Sequence, residues 1–309
     1  MLATVVLIEY FISVFCCFST IILQYYIFRF KSAFALWKET PPLALLFFSI
    51  CLMSVLSIML CAQWSLLILR LIPNVPQTAI IIISFSLVFA GVHHIYIAAT
   101  LGVFAQRIYF IVCPLKPTRR LNKAIIAVVT AASLVTILCF CLANVLHWPT
   151  TIAPVPDGCY SLNCVTFLTK RSYSIFGALI LSSITVVLGT TLQIVYIRFR
   201  SQNQSAKTKI LNKFVRYSFY LRIIYETIPF FADVALAITM GVNVGMYIGP
   251  YGALGSSLDM LTCTSLYYAL VVRRKLDTQV ERYENDNRMF SVKLPPVKRL
   301  QCNVSVREL

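Results

Sequence analysis

Seven stretches of this 309-residue chain stay apolar for the length of a lipid bilayer, and no water-soluble fold accommodates that. They cover residues about 2–28, 43–69, 78–105, 124–146, 173–198, 217–241 and 246–272. Each approaches or exceeds the ~20 apolar residues a helix needs to cross hydrocarbon. In lipid every backbone N–H and C=O must be bonded internally, which leaves helices or a closed barrel. The runs far exceed the ~9–11 residues of a barrel strand, so helices are expected. Composition agrees: 12% of residues are charged, against about 25% in soluble domains. The sequence therefore predicts an all-α membrane protein, a seven-transmembrane helix bundle. Pro41-Pro42 opens the second run, Pro73 and Pro76 mark the turn into the third, and Gly241 to Gly245 separates the sixth from the seventh. The first run begins at residue 2 without a basic leader and is too long for a cleavable core, so it is expected to stay as an anchor.

The formal charge of +16 could suggest nucleic acid, but its distribution excludes that reading. Basic residues cluster between alternate apolar runs: Arg29, Lys31 and Lys38; Arg107, Lys116, Arg119, Arg120 and Lys123; Arg198, Arg200, Lys207, Lys209, Lys213 and Arg216; and nine more from Arg273 onward. Twenty-three Lys and Arg thus fall on one side, against Arg70, Lys170 and Arg171 on the other, with Arg222 inside the sixth run. The positive-inside rule places the N-terminus outside and the C-terminus in the cytoplasm. The sequons at Asn203 and Asn303 then fall on the cytoplasmic side and read as chance. Residues 1–285 form the expected membrane domain. Leu276, Val280 and Tyr283 share a face of a short amphipathic helix after the seventh span, and 286–309 reads as a disordered cytoplasmic tail.

No catalytic motif survives inspection, and neither a Walker nor a Rossmann glycine pattern is present. The chain is read as a non-enzyme without cofactor or metal. His93 and His94 are adjacent, so on a helix they diverge by ~100°, a poor metal pair; bonding to a neighbouring helix is the expectation. Most of the eleven cysteines sit in or beside apolar runs, where they pack as small side chains. Cys159 and Cys164 lie instead in the outer loop 147–171, in an oxidising compartment where a disulfide is expected. Whether they pair together, or with Cys61 as a third party, is not fixed by sequence.

Ionisable residues within a bilayer carry a functional presumption, because each costs roughly 2.5–3.5 kcal/mol or more unless paired. Arg222 and Glu226 are four apart and face one another on a helix. They read either as a self-neutralised pair or as a switch that exchanges partners with the third or seventh helix. Pro229 removes a hydrogen bond one turn later and predicts a kink. Asp233, preceded by Phe230-Phe231, is a candidate pocket wall. Asp259 is expected to cap a polar core with Ser256, Ser257 and Thr262, and Glu9 to lie near the outer headgroups or be buried. Tyr173, Phe176, Tyr247 and Tyr251 stand at the outer ends of the fifth and seventh runs, at a pocket mouth or in an interfacial aromatic belt.

The third run ends in Gln106-Arg107-Ile108-Tyr109, with Pro114-Leu115 at the seventh and eighth positions after the arginine. This resembles the Asp-Arg-Tyr motif and following Pro-Leu pair of rhodopsin-like G-protein-coupled receptors, and Pro229 occupies the place of their sixth-helix proline. The chain departs from that pattern elsewhere. The second run has no mid-depth aspartate, the fourth no tryptophan, the outer end of the third no cysteine, and the seventh reads Ser265-Leu266-Tyr267-Tyr268 without an Asn-Pro pair. Over its whole length the chain is more similar to the nematode serpentine chemoreceptors, most like class BC. Residues 101–110, Asp157-Gly158-Cys159-Tyr160-Ser161-Leu162-Asn163-Cys164 and Ile224-Tyr225-Glu226 carry that resemblance. It implies a chemosensory receptor in the plasma membrane of a sensory neuron or its cilium.

Such a receptor binds a small external molecule among the outer helix halves and activates a heterotrimeric G protein. Arg107, Tyr109, Pro114 and Leu115 would meet that partner, with Lys207, Lys209 and Lys213 as a basic rim and Arg222, Glu226 and Pro229 as the switch. Homo- or heterodimerisation stays open. Two other classes compete. A seven-helix solute transporter would be built from internal repeats, and none is visible. A ligand-gated channel of the odorant-receptor kind needs its N-terminus inside, against the charge count.

Overall fold

The computed structural model describes residues 2–30, 32–113, 118–146, 153–162, 164–165, 173–199, 206–241, 244 and 249–273, and every regular element among them is a helix. In order these are α1 (Leu2–Phe30), α2 (Ala33–Glu39), α3 (Pro41–Ile68), α4 (Pro76–Val112), α5 (Thr118–Leu146), α6 (Tyr173–Arg198), α7 (Ala206–Arg222), α8 (Ile228–Met240) and α9 (Tyr251–Tyr267). A π-helical turn, Ile223–Thr227, joins α7 to α8, and another, Tyr268–Arg273, extends α9. Among the described residues six helices are long and apolar enough to cross a membrane, the α7–α8 pair counting as one. The chain is an integral membrane protein by that measure. The seventh expected run is occupied by α9 and its π-helical extension. The amphipathic helix and tail expected beyond Arg273 lie outside the described residues, as do both sequons.

Proline sets the helix starts, as its position predicts: Pro41 opens α3 and Pro76 opens α4, where a missing N–H costs nothing. Arg70, at φ 57°, takes the left-handed conformation just past the end of α3. Three lengths differ from expectation, and one is that of α5, which begins at Thr118 rather than 124, its first turns holding Arg119, Arg120 and Lys123. Helix α4 continues past residue 105 to Val112, so Arg107 lies within the helix rather than at its end. Helix α7 begins at Ala206 rather than 217, because its first turns are amphipathic rather than apolar. The seven-residue α2, capped by the Ser32 hydroxyl accepting from Ala35 N–H, carried no periodic signal strong enough to be anticipated.

The burial pattern is that of a protein in lipid. Phe11, Phe15 and Ile238 are exposed, whereas Ser13, Thr20, Ser54 and Ser57 are buried. Ser13, Thr20 and Ser86 each donate to the carbonyl four residues earlier in their own helix, so small polar side chains sit at interfaces without leaving orphaned groups. Helix α4 is central and packs against α3, α5, α6 and α7, while α1 packs on α3 and α9. An aromatic layer fills the middle: Phe47 and Phe214 pack edge-on against Tyr267 at 4.7 and 5.3 Å, and Phe104 against Phe219 at 5.9 Å. Gly189 admits the Phe219 ring, since a Cβ there would lie 2.0 Å from it.

At one end of the bundle the 153–165 segment is docked, not loose. Asn74 donates its side-chain amide to Val155 C=O at 2.8 Å and accepts from Val155 N–H at 3.0 Å. The Tyr10 hydroxyl donates to Tyr160 C=O. Val155, Cys159, Cys164 and Val165 join Val6, Trp64 and Ile82 in a second apolar cluster. Cys159 and Cys164 pair with each other in a disulfide. Cys61 is a buried free thiol near the Ser57 hydroxyl and takes no part.

Candidate functional site

The site begins with a proline. Pro229 has no N–H, so the carbonyl of Tyr225 four residues earlier loses its helical partner. The chain responds with the wider π turn, in which Ile228 N–H reaches back to Ile223 C=O; such turns occur frequently at functional sites. The freed carbonyl points at Gly255 of α9, where an added Cβ would meet it at 2.3 Å. A residue without a side chain therefore lets α9 close onto the irregular turn.

One helical turn beyond Gly255 stands Asp259, 1% exposed, and opposite it Arg222, 3% exposed. Arg222 donates through Nε and Nη2 to Asp259 Oδ2 at 3.3 and 3.2 Å. Its Nε also lies 3.3 Å from Glu226 Oε2. The Tyr96 hydroxyl of α4 donates to the same Asp259 oxygen at 2.6 Å, and the Tyr96 ring lies under the guanidinium at 4.1 Å. His93 Nε2, one turn away on α4, is 3.1 Å from Glu226 Oε1. Five side chains thus lock α4, the α7–α8 junction and α9 together in the membrane interior.

The facing of Arg222 and Glu226 is as expected, and each also reaches another helix: Arg222 holds an acid of α9 while Glu226 meets a histidine of α4. For Asp259 the expectation needs correction. Ser256, Ser257 and Thr262 donate to carbonyls of their own helix, so Asp259 caps no serine-lined core. A hydroxyl inside a helix finds an acceptor one turn back more cheaply than across an interface. Tyr96 was missed altogether. Its spacing of three from His93 puts two polar residues on one face of an apolar run, and that was the available signal. His94 bonds within its own helix, its Nδ1 2.6 Å from Ala90 C=O.

Below this cluster, toward the C-terminal end of α4, lies a cavity of about 10 Å³ lined by Tyr96, Thr100, Ser218, Arg222, Asp259 and Cys263, among others. It has room for about one water. Past the Phe104 layer comes Arg107, 4% exposed, with its guanidinium 5.4 Å from the Phe110 ring and its Nε lacking a hydrogen-bond partner. The neighbouring Gln106 donates to Asn122 of α5 at 2.8 Å. Tyr109 is half-buried, and Lys209 and Lys213 are exposed at the start of α7. Pro114, Leu115 and the Lys207 side chain lie outside the described residues.

At the opposite end Asp233 is buried, with both carboxylate oxygens engaged: Oδ1 accepts from Val244 N–H at 3.0 Å and Oδ2 from the Tyr251 hydroxyl at 2.6 Å. These contacts tie α8 to the start of α9, so Asp233 fastens two helix ends instead of facing an open pocket. Phe230 packs edge-on against Phe231. Tyr247 and the side chains of Tyr173 and Phe176 lie outside the described residues. Glu9, half-buried on α1, approaches Gly249, whose φ of 91° and missing Cβ leave room for the carboxylate. No family model matches this chain, and no curated protein matches it.

Proposed function

We propose that this protein is a chemosensory G-protein-coupled receptor: seven spans with α9 and its extension as the seventh, N-terminus outside, in the plasma membrane of a sensory cell. The observation that carries the reading is the buried Arg222 cluster, which joins α4, α7–α8 and α9 at a turn where regular α-helical hydrogen bonding is interrupted. A bundle whose sixth span is pinned by charge at a weakened turn has two arrangements available, pinned and swung. A ligand that binds the swung state better shifts the population toward it. The outer helix halves would take a small molecule, and the inner ends of α4, α6 and α7 would take a heterotrimeric G protein around Arg107, Lys209 and Lys213.

The test expresses the chain with a promiscuous G-protein reporter and screens small odorants and metabolites. Ligand-dependent nucleotide exchange is expected, and Arg107→Ala should abolish it while surface expression persists. Full signalling from that variant refutes the role of Arg107. Saturable uptake of a labelled solute into vesicles, without nucleotide exchange, would replace the receptor by a transporter. An N-terminal epitope tag accessible on intact cells checks the orientation.

A further inference from the structure

The Arg222 cluster does not balance its charge. With imidazole neutral and both acids ionised, one guanidinium faces two carboxylates, leaving one net negative charge among membrane-spanning helices. The groups facing the cluster are His93 and Tyr96 from α4, Arg222 from α7, Glu226 from the π turn, and Asp259 and Cys263 from α9. The neighbouring Cys263 thiol is 3.7 Å from the Ser218 hydroxyl. From α3 the contact is Ser54 with Met260, which does not titrate. On α8, Asp233 is bound at the far end to Tyr251. The next cation along α4, Arg107, is eleven residues or about 16 Å away along the axis. An uncompensated charge in this setting is strongly unfavourable.

One further positive charge is required, and the geometry indicates where it resides. Asp259 Oδ2 already receives Tyr96 and two nitrogens of Arg222. Glu226 Oε1 faces only the His93 ring nitrogen at 3.1 Å, and these two side chains are the most accessible of the cluster, at 25% and 18%. Among the described residues no three His, Cys, Asp or Glu side chains converge as metal ligands, whereas a proton needs only the two atoms already 3.1 Å apart. We infer that the His93–Glu226 pair is a proton-binding site: it holds one proton, taken from water, beyond those of a neutral imidazole and a carboxylate. That proton completes the link between α4 and the π turn, and its loss returns the negative charge and loosens the link.

The sign follows from linkage. The folded pair keeps its extra proton above the pH at which the unfolded chain, whose histidine titrates near about 6.5, has lost its own. Stability is then level below about pH 6.5 and falls above it for as long as the folded state holds a proton that the unfolded chain has lost, the contribution being spent once the folded state releases it too. The experiment follows thermal and denaturant unfolding of the purified, detergent-solubilised chain between about pH 5.5 and pH 8.5. In wild type the unfolding equilibrium constant should rise by up to about tenfold per pH unit above the histidine range. Glu226→Gln, which removes the excess charge, should lose the alkaline fall, lose stability instead below about pH 6.5, where the unfolded histidine takes up a proton the folded one does not, and match or exceed wild type at the alkaline end. His93→Gln leaves one guanidinium facing both acids, so Glu226 alone takes the extra proton; against an unfolded glutamate near about 4.3 the fall in stability should already be present at the acid end of the window, and this decides the matter if the Glu226 variant fails to fold. A level wild-type profile, an alkaline fall that survives in Glu226→Gln, or a His93→Gln profile that is level from about pH 5.5 to pH 8.5 overturns the inference. No ligand or G protein enters the measurement, so its outcome is independent of the receptor proposal.

Discussion

Replacing Arg222 by Met tests whether the cluster is a unit. The methionine side chain matches most of the arginine's length without its charge. In the variant Asp259 Oδ2 loses two donors at 3.2 and 3.3 Å and keeps only the Tyr96 hydroxyl, and Glu226 Oε2 loses its partner at 3.3 Å. Removing one partner of a buried ion pair costs about 3–5 kcal/mol, because the other charge stays uncompensated. The double variant R222M/D259L removes one of the two orphaned acids. Its residual cost is the unpaired Tyr96 hydroxyl, about 1–3 kcal/mol, together with Glu226 left without Arg222, so it should be more stable than R222M alone. Unfolding in detergent can be followed by tryptophan fluorescence, since Trp64 is 1% exposed in the apolar cluster it shares with Val155 and Cys159 and must gain solvent on unfolding. Additive losses in the double variant, within about 0.5 kcal/mol, would refute the pairing and with it the idea that α4, α7–α8 and α9 are held by charge.

Gly255→Ala drives a methyl group into the Tyr225 carbonyl and should cost about 1–3 kcal/mol; in a Pro229→Ala background, where the carbonyl can regain its donor and withdraw, the unfolding assay should register a smaller loss. Asn74→Ala removes both bonds to Val155 and should cost about 1–3 kcal/mol, seen as faster amide exchange across 153–162. Cys159→Ser opens the loop disulfide, with an expected loss of roughly 2 kcal/mol for so short a loop; reducing agent should lower the unfolding temperature of wild type but not of this variant.

The helices were legible because lipid imposes one rule on every residue of a crossing: no exposed backbone, no unpaired charge. Charge-free length therefore located α1, α3 and α6 almost to their ends, and in α5 it left out the first six residues, where Arg119, Arg120 and Lys123 stand. The same criterion stopped too early in α4, where Arg107 and Gln106 look like a boundary but are buried by α5 and the aromatic layer. Within the site, local spacing revealed what lies on one helix: Arg222 opposite Glu226, and the break at Pro229. What required tertiary structure was the partner of each group across helices. Nothing in the order of residues says that Asp259 meets Tyr96, 163 positions away, because two faces of two helices must first be brought into register. Gly189 and Gly255 were equally opaque, since a small residue in an apolar run signals close approach without naming what approaches.

These parts depend on one another in a definite order. Pro229 frees the Tyr225 carbonyl, and the π turn relieves the helix without restoring a donor to it. Only a glycine at 255 can lie against that carbonyl, which fixes how closely α9 approaches. Asp259 follows Gly255 by four residues and so stands on the same face one turn along, while Arg222 precedes Tyr225 by three on its own helix. The close approach at one level therefore sets the 3.2 Å contact at the next. Because Tyr96 and His93 also lie three apart, α4 meets both acids with one face. A ligand need not touch the ion cluster to disturb it: separating α9 from the junction at Gly255 by a fraction of an ångström would lengthen the Arg222–Asp259 bonds, and a buried pair whose geometry has degraded no longer repays its desolvation.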